Sequence, residues 1–341
     1  MTHPYADLPD YAFWRRAISE ETDPVVAAPF RIAVSAPVAT AGSCFAQHIS
    51  RFLTESGHRY LVTETEGQDA GVFPARFGNI YTPRQLLQTF DRAYAMFRPL
   101  DSAWRRHDGA FVDPFRPRIA QEGFPTAQAV EAARPAHFAA VREMFETCEV
   151  LIFTLGLTEA WVSARDGAVF PLAPGVAGGE PGEGYAFKNL TVEEMVADLR
   201  AFLRKLRLVN PGVQTILTVS PVPLVATYEP RHVLVATTYS KAALRVAADV
   251  VAGSEPNVCY FPSFEIITGP QARGRYFAED LRTVTPEGVR RVMDVFSRNF
   301  LGGLDEARPV RRPAVSLSEA ETAELDAQAG VICDEEALDL G

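Results

Sequence analysis

The chain has 341 residues, is 47% hydrophobic, and carries 33 Lys and Arg against 43 Asp and Glu, for a net charge of −10. That length accommodates one large α/β core with an insertion, or two domains. The acidic balance disfavours nucleic acid and anionic membrane surfaces as partners, and no stretch stays apolar for the roughly 18 residues that a membrane span requires.

The first residues, Met1 to Asp7, lack a basic region followed by an apolar run, so no secretory signal is expected. Cys44, Cys148, Cys259 and Cys333 form no C-x-x-C pair and no zinc spacing. A reducing, cytoplasmic compartment is the expectation. The oligomeric state is not legible.

Along the chain, Val38-Ala39-Thr40-Ala41 reads as a short strand leading into a turn at Gly42. Phe45, Ile49, Phe52 and Leu53 then recur at helical spacing until Gly57 stops the helix. The stretch 84–145 mixes prolines, Trp104, Arg105 and Arg106 with helical patterns and reads as a mostly helical insertion. Val150 to Leu155 is an almost wholly apolar run, as for a strand buried on both faces, and it ends at Gly156. Residues 171–184 are rich in Gly and Pro, which predicts a loop. Thr191 and Glu194 match a capping box ahead of an amphipathic helix that Asn210-Pro211-Gly212 ends. Val213 to Val219 reads as a strand, His232 to Val251 as a helix and Val258 to Phe261 as a strand. Thr285-Pro286 opens a last helix reaching about Phe300, and 306–341 reads as a peripheral tail after a domain spanning 1–305. Strands alternating with helices predict a three-layer α/β/α sandwich around a parallel sheet of about five strands. Ligands bind such sheets beyond the carboxyl ends of the strands.

The turn Gly42-Ser43-Cys44-Phe45-Ala46 lies at such an end and places two nucleophile types at the start of a helix. There the side chain is exposed by the tight turn, and the helix end stabilises a thiolate or an oxyanion. Taken alone, the turn reads first as a Gly turn with Ser43 as N-cap and a buried cysteine, since such turns are common in α/β folds. These five residues resemble the signature of the GSCFA family, bacterial proteins similar to SGNH/GDSL hydrolases. Phe77 to Thr82, Thr154 to Glu159, Ser220 to Pro223 and Tyr260 to Glu265 extend the resemblance.

The resemblance implies a flavodoxin-like SGNH fold and acyl transfer or ester hydrolysis. It places the nucleophile at Cys44, with Ser43 as the alternative. It makes Gly78 an oxyanion donor, with Asn79 beside it. Gly156-Leu157-Thr158-Glu159 matches the block in which an Asn donates, but Thr158 stands in that position. Asp280-Leu281-Arg282-Thr283 matches the Asp-x-x-His block with its Asp present and Thr283 in place of the His. A base must therefore come from elsewhere. His48, four residues after Cys44, falls on the same helical face, and His232 follows the Ser220 to Pro223 loop. His3, His58, His107 and His137 have no comparable placement, and Lys241 is a further candidate cation. Cys148 and Cys259 read as inert core residues, Glu159 and Glu265 as orienting or capping groups, and Trp104 and Trp161 as pocket walls or core.

Two functions of different class follow. One is an acyltransferase or esterase acting on a small-molecule or carbohydrate acyl substrate, with no resident cofactor and an acyl-CoA or acyl carrier as possible donor. The other is a catalytically inactive SGNH-like module that binds a carbohydrate or acyl ligand. A cofactor-binding α/β domain ranks below both, since neither G-x-G-x-x-G nor a Walker pattern occurs.

Overall fold

The computed structural model describes residues 3–67, 70–302, 336 and 338. The proposed tail 306–341 and Cys333 lie outside the described residues, Glu336 and Leu338 excepted. In chain order the elements begin with α1 Trp14–Ala17, β1 Val38–Gly42, α2 Phe45–Glu55, α3 Pro83–Ala93, β2 Trp104–Arg105, β3 Phe111–Val112, α4 Ala127–Ala132 and α5 Arg134–Thr147. There follow β4 Val150–Leu155, β5 Glu159–Ser163, β6 Val169–Phe170, β7 Tyr185–Asn189, α6 Val192–Val209, β8 Gln214–Val219, α7 Val233–Ala252, β9 Val258–Phe261, α8 Ser263–Thr268 and α9 Pro286–Phe300.

The central sheet has the order β1-β4-β8-β9 and every pairing in it is parallel. Side chains alternate across it, as a strand's period of two requires. Ala39, Ala41, Leu151, Phe153, Leu155, Leu217 and Val219 face one layer, where Leu86, Phe90, Val141, Phe145, Phe202 and Leu244 from α3, α5, α6 and α7 pack. Val38, Val150, Ile152 and Ile216 face the other, where Phe45, Ile49 and Leu53 of α2 meet Ile266, Val292, Phe296 and Phe300 of α8 and α9. The molecule is thus the expected α/β/α sandwich, with four strands in the sheet rather than five.

The helix starts are set by local chemistry. Thr82, Thr126 and Thr285 each accept a hydrogen bond from an amide of the first turn they cap. The capping box at Thr191 and Glu194 is complete on both sides. Gly57, at φ +76°, turns the chain out of α2.

Two regions differ from the sequence reading. Of the stretch 84–145, α3 and α5 are core helices whose apolar faces cover the sheet, and the part between them carries only the β2–β3 ribbon and the short α4. This outer part is fastened by a buried cluster, in which Asp113 accepts from Arg116 Nε and Arg134 Nε, each at 3.2 Å. Arg92 completes the cluster with its guanidinium 3.7 Å from the Phe115 ring centre. The second difference is a small antiparallel sheet, β6-β5-β7, folded from residues 159–189 beside the carboxyl end of β4.

Candidate active site

The turn after β1 is built around Gly42, which takes φ +143°. A Cβ there would sit 2.4 Å from the Thr154 carbonyl oxygen, so only glycine fits. The turn is held on both sides: the Ser43 amide donates to Thr154 O at 3.2 Å, and the Ile80 amide donates to Gly42 O at 2.8 Å. Ser43 O then accepts from the Ala46 amide and Cys44 O from the Gln47 amide. Cys44 therefore stands at the cap of α2 in helical conformation, and the Ala46 and Gln47 amides of the first turn are already taken by the turn itself. It is 6% exposed. Ser43 Oγ is buried and has no hydrogen-bond partner.

Segment 77–82 threads between this turn and the end of β4. Gly156 and Leu157 donate their amides to Tyr81 O at 2.9 and 3.3 Å. A Cβ on Gly156 would lie 3.1 Å from Ser43 Cβ and 3.0 Å from Tyr81 Cδ1, which explains the glycine. Gly78 takes φ +73°, and Asn79 is buried with its Oδ1 accepting from Gln47 Nε2 of α2 at 3.2 Å. Gly42, Ser43, Cys44, Asn79 and Gly156 thus form one interlocked group, with Gly78 next in the chain. Thr158 is buried beside it: its amide donates to Ser240 Oγ at 3.0 Å, while its own hydroxyl has no partner.

The proposed bases fare differently. His48 packs edge-on against Phe45 with ring centres 5.6 Å apart. Burial, and then the charge of Arg51, pull its pKa down to about 4. That lowering works against the thiolate–imidazolium couple that its spacing suggested. His232 is exposed, and its Nδ1 accepts from the Leu234 amide at 3.1 Å, so it caps α7. The Asp280 carboxylate is exposed and closed on its own loop, accepting from the Arg282 and Thr283 amides at 2.9 Å and from Thr283 Oγ1 at 2.5 Å. These bonds hold its pKa below the usual carboxylate range against partial desolvation. Glu159 orients no base: it accepts from Thr227 Oγ1 and the Tyr228 amide, tying that loop to β5, and burial raises its carboxyl.

The sequence reading gave two groups little weight. Lys241, on α7, is 4% exposed and donates from Nζ to Gly156 O at 2.5 Å. His137 is buried, with Nδ1 2.7 Å from Glu64 Oε2; burial, followed by the Arg116 charge, lowers it to about 4. Neither pairing has a local signal, since they join positions 85 and 73 apart. Among the described residues no cluster of three or more His, Cys, Asp or Glu side chains is placed to hold a metal ion. No helix there is long and apolar enough to cross a membrane.

The profile of the GSCFA family matches residues 37–296, from the start of β1 into α9. No curated protein matches the chain. Among solved structures, a carbohydrate esterase family 3 protein from Talaromyces cellulolyticus is similar at 11% identity and a TM-score of 0.34, covering 77% of this chain and 95% of its own. That likeness is too distant to transfer residues or activity.

Proposed function

The chain belongs to the GSCFA family, and we propose that it is an acyl-transfer enzyme, an esterase or acyltransferase, acting through a nucleophile on the Gly42-Ser43-Cys44 turn. The observation that carries this reading is the glycine-only turn at Gly42 delivering Cys44 to the start of α2. A helix start favours both a thiolate and the oxyanion of a tetrahedral intermediate. Cys44 is the first choice. Ser43 Oγ has no acceptor for its proton, and a serine needs one to attack. A thiol ionises far more readily.

In the proposed reaction the Cys44 thiolate adds to the acyl carbonyl carbon. The C–S bond forms as the bond to the departing alkoxide or thiolate breaks, and that group takes a proton from water. Water or an acceptor hydroxyl then attacks the thioester, loses its proton, and restores the thiolate. The Cys44 and Phe45 amides, the Gly78 amide and the Asn79 side chain are the candidate oxyanion donors. Thr158, whose hydroxyl is unpartnered, is the candidate for the third donor.

The acyl substrate is a small molecule or carbohydrate ester, and an acyl-CoA or acyl carrier is the candidate donor for transfer. A cavity of about 1100 Å³ on the outer stretch suits the phosphates of such a donor, because Arg105, Arg106, His107 and Arg118 line it. It shares Pro117 and Arg118 with a smaller cavity that Gly78 and Asn79 line. A reducing, cytoplasmic compartment suits an unpaired thiol.

A second reading, an inactive module binding an acyl or carbohydrate ligand, is favoured by the closed Asp280 loop with Thr283 in it. Intact-mass measurement after exposure to acyl-CoA and to activated esters separates the two. Acylation of the wild type that disappears in Cys44→Ala supports the enzyme. Loss in Ser43→Ala with retention in Cys44→Ala moves the nucleophile to Ser43, and no acylation in any form leaves the binding module.

A further inference from the structure

A cavity of about 290 Å³ opens beyond the carboxyl ends of β4 and β8, the place where open α/β sheets bind ligands. Its inner wall is Tyr81 and Leu157. These two residues are joined by the Leu157 amide donating to Tyr81 O, and the neighbouring Gly156 lies against Ser43. The cavity therefore adjoins the candidate nucleophile turn, with Gly156 and Tyr81 as a local partition between them.

The wall chemistry narrows what can occupy it. Leu157, Trp161, Phe170, Leu172, Phe187 and Leu224 supply most of the surface. Four of the polar side chains on the wall, Gln85, Thr82, Thr227 and Glu159, are already used within the protein. Gln85 accepts from the Tyr81 amide and donates to Asn79 O. Thr82 Oγ1 accepts from the Gln85 amide, and Thr227 Oγ1 donates to Glu159, whose other oxygen takes the Tyr228 amide. A saccharide brought here would find few partners for its hydroxyls on so apolar a wall, whereas an alkyl or aryl group needs none. At about 30 Å³ per water-sized group the volume holds roughly ten such groups.

We propose that this cavity is the acyl-chain subsite, and that the transferred group is a medium-length alkyl or aryl acyl chain rather than acetyl. The assignment rests on the acyl-transfer reading for its chemistry, but binding in the cavity is testable apart from it.

The test uses the full chain, its Cys44→Ala variant, and two cavity-filling variants, Ala173→Trp on a half-buried loop position and Ala226→Trp at the exposed rim, with circular dichroism and melting to verify folding. Calorimetry with octanoate, acetate and glucose measures binding. Acylation is followed with p-nitrophenyl acetate and octanoate. Octanoate is expected to bind wild type and Cys44→Ala alike, with acetate and glucose at least about tenfold weaker. Both tryptophan variants should weaken octanoate by about tenfold or more. Wild type should be acylated faster by the octanoyl than the acetyl ester, and Ala173→Trp should reverse that order while keeping the acetyl rate. If acetyl transfer is as fast as octanoyl and Ala173→Trp changes neither, the subsite is wrong while the nucleophile stands. If octanoate binds and the variants weaken it, yet no ester acylates Cys44, the subsite stands and the acyl-transfer reading falls. Octanoate binding unmoved by both variants overturns the assignment.

Discussion

Lys241 spans from α7 to the end of β4, placing Nζ 2.5 Å from the carbonyl oxygen of Gly156 with both groups out of solvent. Gly156 is the residue that packs on Ser43 and holds Tyr81. Lys241 therefore braces the partition behind the nucleophile turn. Replacing it with Met keeps the stem but leaves a buried carbonyl without its donor. The expected loss is about 1.5–3 kcal/mol of stability, read from guanidinium unfolding. A shift smaller than about 0.5 kcal/mol, within the range of ordinary surface substitutions, would show that the bond contributes little.

Gly42→Ala is expected to cost about 3 kcal/mol or more, or to prevent soluble expression. It forces an L-residue into φ +143° and drives its Cβ to 2.4 Å from Thr154 O, a backbone atom between two strands that cannot retreat. Gly182→Ala is the control: a Cβ there meets nothing within 4 Å, so its melting temperature should match wild type. Equal stability of the two variants would contradict the turn geometry.

The parts of the fold that could be read from the chain are those with local causes. The buried strands are apolar on both faces, the amphipathic helices carry Thr caps, and Gly42 marks a turn. The β6-β5-β7 sheet was missed because β5 and β7 are only partly buried, β6 is two residues long, and a Gly- and Pro-rich loop separates β6 from β7. At the site, Gly42, Asn79 and Gly156 came together as the family resemblance implied, since each is confined by backbone contacts. The bases did not. Helical spacing correctly placed His48 near Cys44 in the chain, but spacing carries no information about burial, and burial is what keeps that imidazole neutral. Asp280 fitted a pattern in the sequence, yet it satisfies its carboxylate within four residues.

Stability should fall as pH drops below about 6.5. His48 and His137 are both held near 4 in the folded chain, against an unfolded value of about 6.5. Between those values the unfolded state binds protons that the folded state does not, so acid favours unfolding. Each histidine then costs about 2 kcal/mol by pH 5. Glu64, lowered through its pairing with His137 against its own desolvation, acts in the same direction at lower pH. His48→Asn should remove about half of the loss between pH 7 and pH 5 in chemical denaturation. An unchanged pH slope in that variant would mean His48 titrates normally.

Cys44 should be the first of the described cysteines to be alkylated. Burial pushes the thiols of Cys148 and Cys259 up to about 12, so at pH 8 only about one molecule in ten thousand carries either as thiolate. Cys44 sits at the start of α2, where a helix end stabilises an anion by about 0.3–1 kcal/mol at an exposed site. Its low exposure slows entry of a reagent, so the rate should rise in mild denaturant less than those of Cys148 and Cys259, whose protection is both burial and protonation. Iodoacetamide labelling from pH 6 to 9, with peptide mapping, resolves each site. Because His48 is neutral, His48→Ala should leave the pH profile of Cys44 in place. If that substitution shifts the profile upward instead, His48 is charged in the folded chain, and the thiolate–imidazolium couple returns as the nucleophile's activation.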